Sequence, residues 1–321
     1  MRTAPKRPET QSGPPIRHRS LWKRVKRHKF LYLLLLPGLI HLVLFKLAPV
    51  SALVIAFQDF SPFLGITGSP WVGLDNFAQF LQDPNVLRLI RNTVLLAFGT
   101  LLFSFPFPLA FALLLNEVRQ KVLRRTVQTA SFIPYFISSA VLVSIMYTLL
   151  SPQDGLVNKV IEALGGSPIS FFSEPGWFRP LYITMTIWQT FGYTTIIYLA
   201  AMTSVDPSLY EAAELDGAGR WKKMRHVTVP SIATMIVVML ILNVGQVLSV
   251  DLDKVLLMYN PSVYETADVI QTYVYRLAFA PEGFPDYSYA AAVGLVQGVV
   301  ALVLIQTANR ASRRFSNSRV F

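Results

Sequence analysis

The 321-residue sequence contains no cysteine, and this absence removes several kinds of chemistry. Disulfide bonds, thiolate metal sites and cysteine nucleophiles are excluded. The chain has only four histidines, and none of them has the spacing of metal ligands. Charged residues make up 15% of the chain, against about 25% in soluble domains. A Gly-x-x-x-x-Gly-Lys-Ser/Thr phosphate-binding loop is also missing, so the chain is not expected to hydrolyse ATP itself.

Apolar residues dominate what is present, since 53% of the chain is hydrophobic and the mean hydropathy is +0.45. A helix needs about 20 mostly apolar residues to cross a bilayer, and six segments meet this requirement. The predicted spans are 30–57, 93–115, 127–150, 181–203, 229–250 and 287–307. Prolines inside them are expected to kink the helices, because neighbouring helices can satisfy the freed carbonyls. The sequence therefore predicts an all-α, polytopic membrane protein with six transmembrane helices.

The distribution of lysine and arginine predicts the orientation of these helices. The two ends of the chain and the loops after the second and fourth spans hold 22 of the 29 basic residues. The other three loops hold six, together with 12 of the 18 acidic residues. Because basic loops remain in the cytoplasm, both termini are predicted to be cytoplasmic. The net charge of +11 is then explained by topology and by attraction to anionic membrane lipid, so no nucleic-acid partner is expected.

The chain divides into three predicted parts. Residues 1–29 carry ten lysines and arginines and are expected to form a disordered cytoplasmic tail. Residues 30–307 form the six-helix transmembrane domain. Residues 308–321 form a second basic cytoplasmic tail.

The predicted cytoplasmic loop 204–228, between the fourth and fifth spans, carries the most informative pattern. Asp206 or Ser208 can cap a short helix, with Pro207 in its first turn. Gly217 can adopt a left-handed conformation and end that helix. The local pattern thus predicts a helix and a turn along the membrane face, for which a purely structural connector is the alternative interpretation.

A second short helix is expected after Gly217, and Pro230 is expected to open the fifth span. Its spacing predicts Trp221 and Met224 on one face. Lipid headgroups or water are expected to contact its basic residues Lys222, Lys223 and Arg225.

The spacing within this loop resembles that of a known family. Glu211, Ala212 and Ala213 are followed after three residues by Gly217, and after nine more by Val227-Thr228-Val229-Pro230. Permeases of binding-protein-dependent ABC importers carry Glu-Ala-Ala, three residues, Gly, nine residues and Ile-x-Leu-Pro. Every interval fits, and the two departures, valine for isoleucine and valine for leucine, keep the apolar character. The sequence therefore resembles an ABC importer permease, and this resemblance implies the type I permease fold.

Motifs elsewhere are similar to the sugar permeases of the polysaccharide and oligosaccharide branch, the lipoprotein, aldouronate and alginate type. This branch includes permeases for acidic oligosaccharides and alginate, so import of such a sugar is what the resemblance implies. The matching segments are Pro37-Gly38, Ala56-Phe57-Gln58-Asp59-Phe60, residues 65–74, Trp188-Gln189 with Gly192, Thr272-Tyr273-Val274-Tyr275-Arg276 and residues 287–290.

The resemblance also implies partners and a mechanism. In this family two permease subunits, often different, form the pathway, two ATPase subunits dock beneath them, and an extracytoplasmic binding protein delivers the sugar. The chain would bind no cofactor itself, since ATP and Mg belong to the ATPase subunits. Glu211, Ala212, Ala213, Gly217 and Pro230 would form the coupling helix and its junction with the fifth span. The implied location is the bacterial cytoplasmic (inner) membrane.

Polar and aromatic residues inside the predicted spans are candidates for contact with the sugar. Asn243 and Gln246 lie three residues apart and share a helix face. Trp188, Gln189 and Tyr193 can offer an aromatic platform with hydrogen-bonding neighbours. The alternative for Asn243 and Gln246 is a purely structural bond between helices, and that for the aromatic residues is anchoring at the membrane interface.

Two other functional classes compete with the importer. A secondary transporter without an ATPase partner also fits a polytopic chain, although the predicted spans lack the carboxylates that couple transport to protons or sodium. A membrane-embedded glycosyl- or acyltransferase would need clustered acidic residues or histidines, and no such pair is evident.

Overall fold

The computed structural model describes residues 29–246, 250–279 and 284–315. Within these ranges the chain is helical apart from turns and one isolated antiparallel bridge between Gln58 and Trp71. The longer helices are α1 Lys29–Leu42, α2 Asp75–Gln82, α3 Val86–Ser104, α4 Pro106–Asn116, α5 Lys121–Phe132, α6 Ser139–Leu149, α7 Leu156–Ala163, α8 Pro175–Met202, α9 Pro207–Leu215, α10 Ala233–Gln246, α11 Leu252–Met258, α12 Ile270–Phe279 and α13 Tyr287–Phe315.

Shorter helical pieces connect these elements. Single α-helical turns occupy Ala48–Ser51, Gly65–Gly68, Arg220–Lys223, Val229–Ser231 and Tyr264–Ala267. The 3₁₀ segments are Ala52–Phe57, Ile133–Phe136 and Pro261–Val263, and the π-helical segments are Val43–Leu47 and Met224–Thr228. The all-α prediction is therefore confirmed for the described residues. The predicted disordered tail lies almost entirely outside them.

The chain separates into two compact units, 1–53 and 54–321. The described part of the first unit begins with α1, whose apolar side chains are all exposed. In the second unit, the long helix α8 packs against α3, α4 and α5. A core around Tyr198, Leu199 and Met202 surrounds the C-terminal end of α8, and another around Phe178, Tyr182 and Met185 surrounds its N-terminal half. Both ends of α8 are thereby held in place.

Three helical stretches are long and apolar enough to cross a membrane alone, namely Lys29–Phe57, Val86–Asn116 and Tyr287–Thr307. Two bent pairs bring the total to five if each pair is one span, Lys121–Phe136 with Ser139–Leu149 and Arg220–Ser231 with Ala233–Gln246. Helix α8, the predicted fourth span, has 28 residues but is not among these five, and its threonines, tyrosines and Gln189 lower its hydropathy. The count of six remains a prediction.

The predicted third span, 127–150, is wrong as a single kinked helix. Its two halves, α5 and α6, meet at 104°. Pro134 lacks a backbone N–H, and the chain passes through a 3₁₀ turn there into extended Ile137. The Ser138 hydroxyl then accepts a hydrogen bond from the Val141 N–H at 3.3 Å and caps α6. The break lies beside the middle of α8, because the Gln189 side chain donates to the Ile137 carbonyl at 2.7 Å.

Helices α5 and α8 approach each other unusually closely. Gly192 of α8 is buried, and a β-carbon at this position would lie 1.9 Å from the carbonyl oxygen of Ser131 in α5. Only glycine fits such a backbone contact. This packing holds the break after α5 against α8.

Candidate functional site

The loop after α8 folds into the predicted short helix, α9, with a defined stop at each end. The Asp206 carboxylate accepts a hydrogen bond from the Ser208 N–H at 2.9 Å, so Asp206 is the cap, and Pro207 opens the first turn. Gly217 has φ +73°, the left-handed conformation that the sequence predicted. The Gly217 and Ala218 N–H groups donate to the carbonyls of Glu214 and Ala213 at 3.0 and 2.9 Å. These two backbone hydrogen bonds close the helix as a Schellman motif.

Two side-chain contacts brace α9 against the segment that follows it. The hydroxyls of Tyr210 and Thr228 are hydrogen-bonded at 2.9 Å. The Lys223 ammonium forms an ion pair with Glu214, whose pKa is lowered by this hydrogen bond and by the lysine's charge. The sequence analysis expected Lys223 to contact lipid headgroups or water, whereas its ammonium is paired with Glu214. The loop is a rigid hairpin of two helical pieces.

The predicted pairing of Trp221 with Met224 on one face is wrong. Met224 is 8% exposed, whereas Trp221 is 72% exposed. Met224 begins a π-helical segment in which Met224 and Thr228 are buried, whereas Trp221 belongs to the preceding α-helical turn, which buries none of its residues. Pro230 lies in the turn Val229–Ser231, and α10 itself begins at Ala233 after a 65° bend. Pro230 thus precedes the fifth helix by three residues.

The surface of α9 is open to a partner. Glu211 is exposed and has no hydrogen bond or ion pair within the part of the chain that the structure describes, and Ala212 beside it is exposed as well. Two large apolar side chains of the same helix are also exposed, Leu209 at 47% and Leu215 at 90%. A free carboxylate, small residues and exposed apolar groups on a braced helix are features typical of surfaces that bind protein partners.

A cavity of about 490 Å³ lies along α8, between α3 and α10. Tyr193, Asn243 and Gln246 line it, which brings three of the five predicted substrate residues together. The remaining lining residues are Ala97, Thr100, Leu101, Ser104, Tyr135, Tyr182, Thr186, Thr190, Thr194, Ile197, Met239, Leu242 and Val250. The lining combines hydroxyl groups, amides and aromatic rings, which suits a polyhydroxylated ligand.

Two tyrosines form an aromatic platform in the cavity wall. The rings of Tyr135 and Tyr193 stack with centroids 4.5 Å apart and an interplanar angle of 11°. Tyr135 follows α5 in the broken third span, and the sequence analysis missed it because an expected kink at Pro134 does not give the direction of the chain after it. Its position directly after Pro134 was the available signal, since a proline can break the helix there.

Asn243 presents an acceptor to the cavity. Its amide nitrogen donates to the Met239 carbonyl of the same helix at 2.7 Å, which leaves the amide oxygen available to a ligand. The Asn243 amide nitrogen therefore bonds within its own helix and not between helices, which was the alternative considered for Asn243. Gln246 is exposed at the end of α10.

Trp188 and Gln189 do not line the cavity. Gln189 is engaged in packing, because its amide donates to the Ile137 carbonyl and its oxygen accepts from the Lys254 ammonium at 2.9 Å. Trp188 is 39% exposed and projects from α8 elsewhere. The predicted grouping of both residues with Tyr193 is wrong in geometry, because only Tyr193 lies on the cavity face of the helix.

The sequence analysis also missed a buried ion pair beside the cavity. Lys254 is one of the six basic residues that the sequence analysis counted in the three loops opposite the termini, but it is 1% exposed and reaches the middle of α8. Its ammonium lies 3.2 Å from the Thr186 hydroxyl and 3.4 Å from the Asp251 carboxylate. The apolar run Val255-Leu256-Leu257-Met258, which follows at once, was the available signal that this segment is packed.

A charged network closes the N-terminal end of α8. The Asp268 carboxylate is 1% exposed and binds Arg276 through both oxygens, at 2.8 and 3.1 Å, and Arg88 at 3.3 Å. The amide of Asn92 donates to the Asp268 carbonyl at 2.9 Å and accepts from Arg179 at 2.8 Å. These contacts join α3, α8 and α12 at the end of the unit remote from α9.

A helical membrane domain, a braced docking loop and a central cavity define a class of transport protein. Residues 104–317 match the family described as "Binding-protein-dependent transport system inner membrane component", and the chain belongs to this family. It is therefore a multi-pass permease subunit of an ABC transporter in the inner membrane, and not an enzyme. Membership of this family overturns the alternative of a secondary transporter.

Among known proteins, the chain is 43% identical to Protein LplB of Bacillus subtilis (strain 168), over the full length of both. It is 45% identical to the polygalacturonan/rhamnogalacturonan transport system permease protein YteP of the same organism, with 95% of this chain and 94% of the relative covered. A solved bacterial ABC transporter involved in import of the acidic polysaccharide alginate contains a chain 40% identical to this one. The TM-score is 0.85, with 93% of this chain and all of that chain covered.

Proposed function

We propose that this chain is a permease subunit of an ATP-driven importer that moves an oligosaccharide or polysaccharide, of the acidic class that includes alginate, into the cytoplasm. The named substrates of its relatives support this class, since one imports polygalacturonan or rhamnogalacturonan and another alginate. Both termini and the loop 204–228 face the cytoplasm in this proposal, as the basic residues require.

The observation that carries the proposal is the braced, exposed helix α9. We assign Glu211, Ala212, Ala213 and Gly217 to contact with an ATPase subunit, with Pro230 at the junction to α10. The rigid caps at Asp206 and Gly217 let the helix transmit motion, and the free Glu211 carboxylate can accept charge-assisted hydrogen bonds. ATP and Mg bind in two ATPase partners, whose closure rocks the helices between two states.

The remaining partners follow from the same assembly. A second permease subunit, distinct from this chain, completes the pathway, and an extracytoplasmic solute-binding protein delivers the sugar. Support for the latter comes from a second alginate transporter structure, 39% identical over 94% of this chain, which was solved with its alginate pentasaccharide-bound periplasmic protein. Membrane lipid surrounds the apolar helices.

The cavity along α8 is the proposed sugar site. The stacked rings of Tyr135 and Tyr193 offer an apolar face to the C–H surface of a sugar ring. The Asn243 amide oxygen, Gln246 and the threonine hydroxyls supply hydrogen bonds for its hydroxyl groups. A volume of about 490 Å³ accommodates a short stretch of an oligosaccharide at a time.

A matched pair of glycine variants tests the ATPase contact. Gly217 and Gly219 lie two residues apart, and a β-carbon at either position meets nothing within 4 Å. Only Gly217 has a positive φ, so serine strains the backbone there by about 1–2 kcal/mol. Gly219 precedes the turn Arg220–Lys223 in the capping position, where serine is favourable.

The assay is co-purification of ATPase subunits with the tagged chain from native membranes in mild detergent. We expect Gly217→Ser to weaken ATPase association roughly 5- to 30-fold, because the strain acts on the docking helix. Gly219→Ser should retain the ATPase like the wild type. If the wild type and both variants recover equal amounts of the ATPase subunits, α9 is not the coupling helix. If even the wild type recovers no ATPase subunit, the importer proposal fails.

A further inference from the structure

The Asp251 carboxylate caps α11, and the Lys254 ammonium with which it pairs lies directly behind the wall of the sugar cavity. The Lys254 ammonium contacts the Thr186 hydroxyl at 3.2 Å and lies 5.5 Å from the centre of the Tyr182 ring. Both Thr186 and Tyr182 line the cavity. One hydroxyl group therefore separates this cation from the space where the sugar is proposed to bind.

The Lys254 ammonium donates to the neutral Gln189 oxygen at 2.9 Å, but its contact with a negatively charged group is longer. Its distance to the Asp251 carboxylate is 3.4 Å, which is long for a charge-assisted hydrogen bond. The same carboxylate is engaged more closely elsewhere, by the Ser139 hydroxyl at 2.8 Å and by the Lys254 backbone N–H at 3.1 Å. Asp251 is also 36% exposed, so its charge is partly screened, whereas the ammonium is buried.

A buried cation in a membrane protein normally marks a functional site. We propose that Lys254 binds a carboxylate of an acidic sugar in the cavity, and that Asp251 is its resting partner, which the sugar carboxylate displaces. This inference rests on the proposed function and assigns the residue that selects acidic over neutral sugars. The flexible lysine stem reaches the cavity past Thr186 by rotation of its side chain, and no covalent step is involved.

The test uses the full chain in its complex with permease and ATPase partners, purified without the binding protein. The probes are trigalacturonate and the same trisaccharide with its carboxyl groups methyl-esterified, which removes each negative charge at the cost of one added methyl group. Equilibrium binding is measured for the wild type and for Lys254→Gln, Lys254→Arg and Asp251→Asn. Lys159→Gln is the matched control, because Lys159 is exposed on α7.

We expect the wild type to bind the acidic trisaccharide more tightly than its ester. Lys254→Gln should weaken binding of the acid about 10-fold or more and leave the ester unchanged, since a hydrogen bond between charged groups is lost. Lys254→Arg should retain the preference, and Asp251→Asn should strengthen binding of the acid by removing its competitor. Lys159→Gln should change neither.

A purely structural ion pair gives a different pattern. Lys254→Gln and Asp251→Asn would then shift the two probes alike and in the same direction, because each variant breaks the same pair. The inference is overturned by any of three results. These are equal shifts for the two probes, equal binding of both probes by the wild type, and no binding of the acid by the wild type. If one of these results is obtained with a complex that retains its ATPase subunits, the importer proposal still stands. The glycine variants test that proposal separately.

Discussion

Replacing Gly192 with alanine tests how far the close packing of α5 and α8 controls stability. The new β-carbon would lie 1.9 Å from the carbonyl oxygen and 2.3 Å from the carbonyl carbon of Ser131, both backbone atoms that no side-chain rotation can move. Relaxing these contacts to about 3.5 Å requires the helices to separate by about 1.5 Å.

Overpacking of this kind costs about 1–3 kcal/mol, and each kcal/mol lowers the melting temperature of a domain this size by about 2–4 °C. We therefore expect Gly192→Ala to melt about 2–12 °C below the wild type in detergent. Separation of α5 from α8 should also part the rings of Tyr135 and Tyr193 and weaken sugar binding.

Gly245→Ala is the matched control, because Gly245 also lies within a helix but its β-carbon would meet Ile305 at an ordinary 3.8 Å. Alanine favours the helix there, so its melting temperature should equal or exceed that of the wild type. The packing argument is refuted if Gly192→Ala melts within 1 °C of the wild type, about a quarter of one kcal/mol by the same conversion.

Two further predictions concern the sugar site and the Asp83 carboxylate, which accepts hydrogen bonds from Tyr273 and Tyr289. Tyr193→Ala should weaken sugar binding about 5-fold or more because it removes half of the stacked platform, whereas Trp188→Ala, outside the cavity, should not; equal effects in a binding titration would contradict the site. Burial raises the pKa of Asp83, but hydrogen bonds, the largest from Tyr273, outweigh it and hold the pKa below its ordinary value of 3.8. The ionised Asp83 stabilises the fold fully well above pH 3.8, and this stabilisation is lost as the pH falls through the lower pKa of the folded state. In melting-temperature measurements from pH 7 to 3, Asp83→Asn should therefore lose less stability below pH 4 than the wild type does. Parallel curves for the two proteins would argue against this role of Asp83.

Local signals predicted the docking loop well. A cap at Asp206, a proline in the first turn and a glycine at the end are all short-range features, because each acts within a few residues of backbone. The apolar stretches that became Val86–Asn116 and Tyr287–Thr307 were equally visible, since hydropathy over 20 residues is a local property. The family resemblance then indicated that the loop and the spans belong to one importer permease.

The cavity was predicted only in part, because tertiary packing decides which residues share it. The periodicity of α8 allowed Trp188, Gln189 and Tyr193 to be grouped, yet only Tyr193 faces α10. Tyr135 reached the wall through a helix break whose angle no local rule gives. The predicted span boundaries left Lys254 in the loop after the fifth span, whereas in the structure Gln189 and Thr186 supply partners that satisfy it in the interior.

The network around Asp268 has a consequence for how the protein is made. Its carboxylate binds Arg88, which precedes it by 180 residues, and its carbonyl accepts from Asn92, 176 residues earlier. Chains are synthesised from the N-terminus, so Arg88 and Asn92 wait for partners until most of the polypeptide has been translated and inserted. A product truncated after α10 would leave this end unsealed, with charged and amide groups exposed. The contacts of Asp268 with Arg88 and Arg276 can therefore form only late in synthesis, and a chain that ends before Asp268 lacks them.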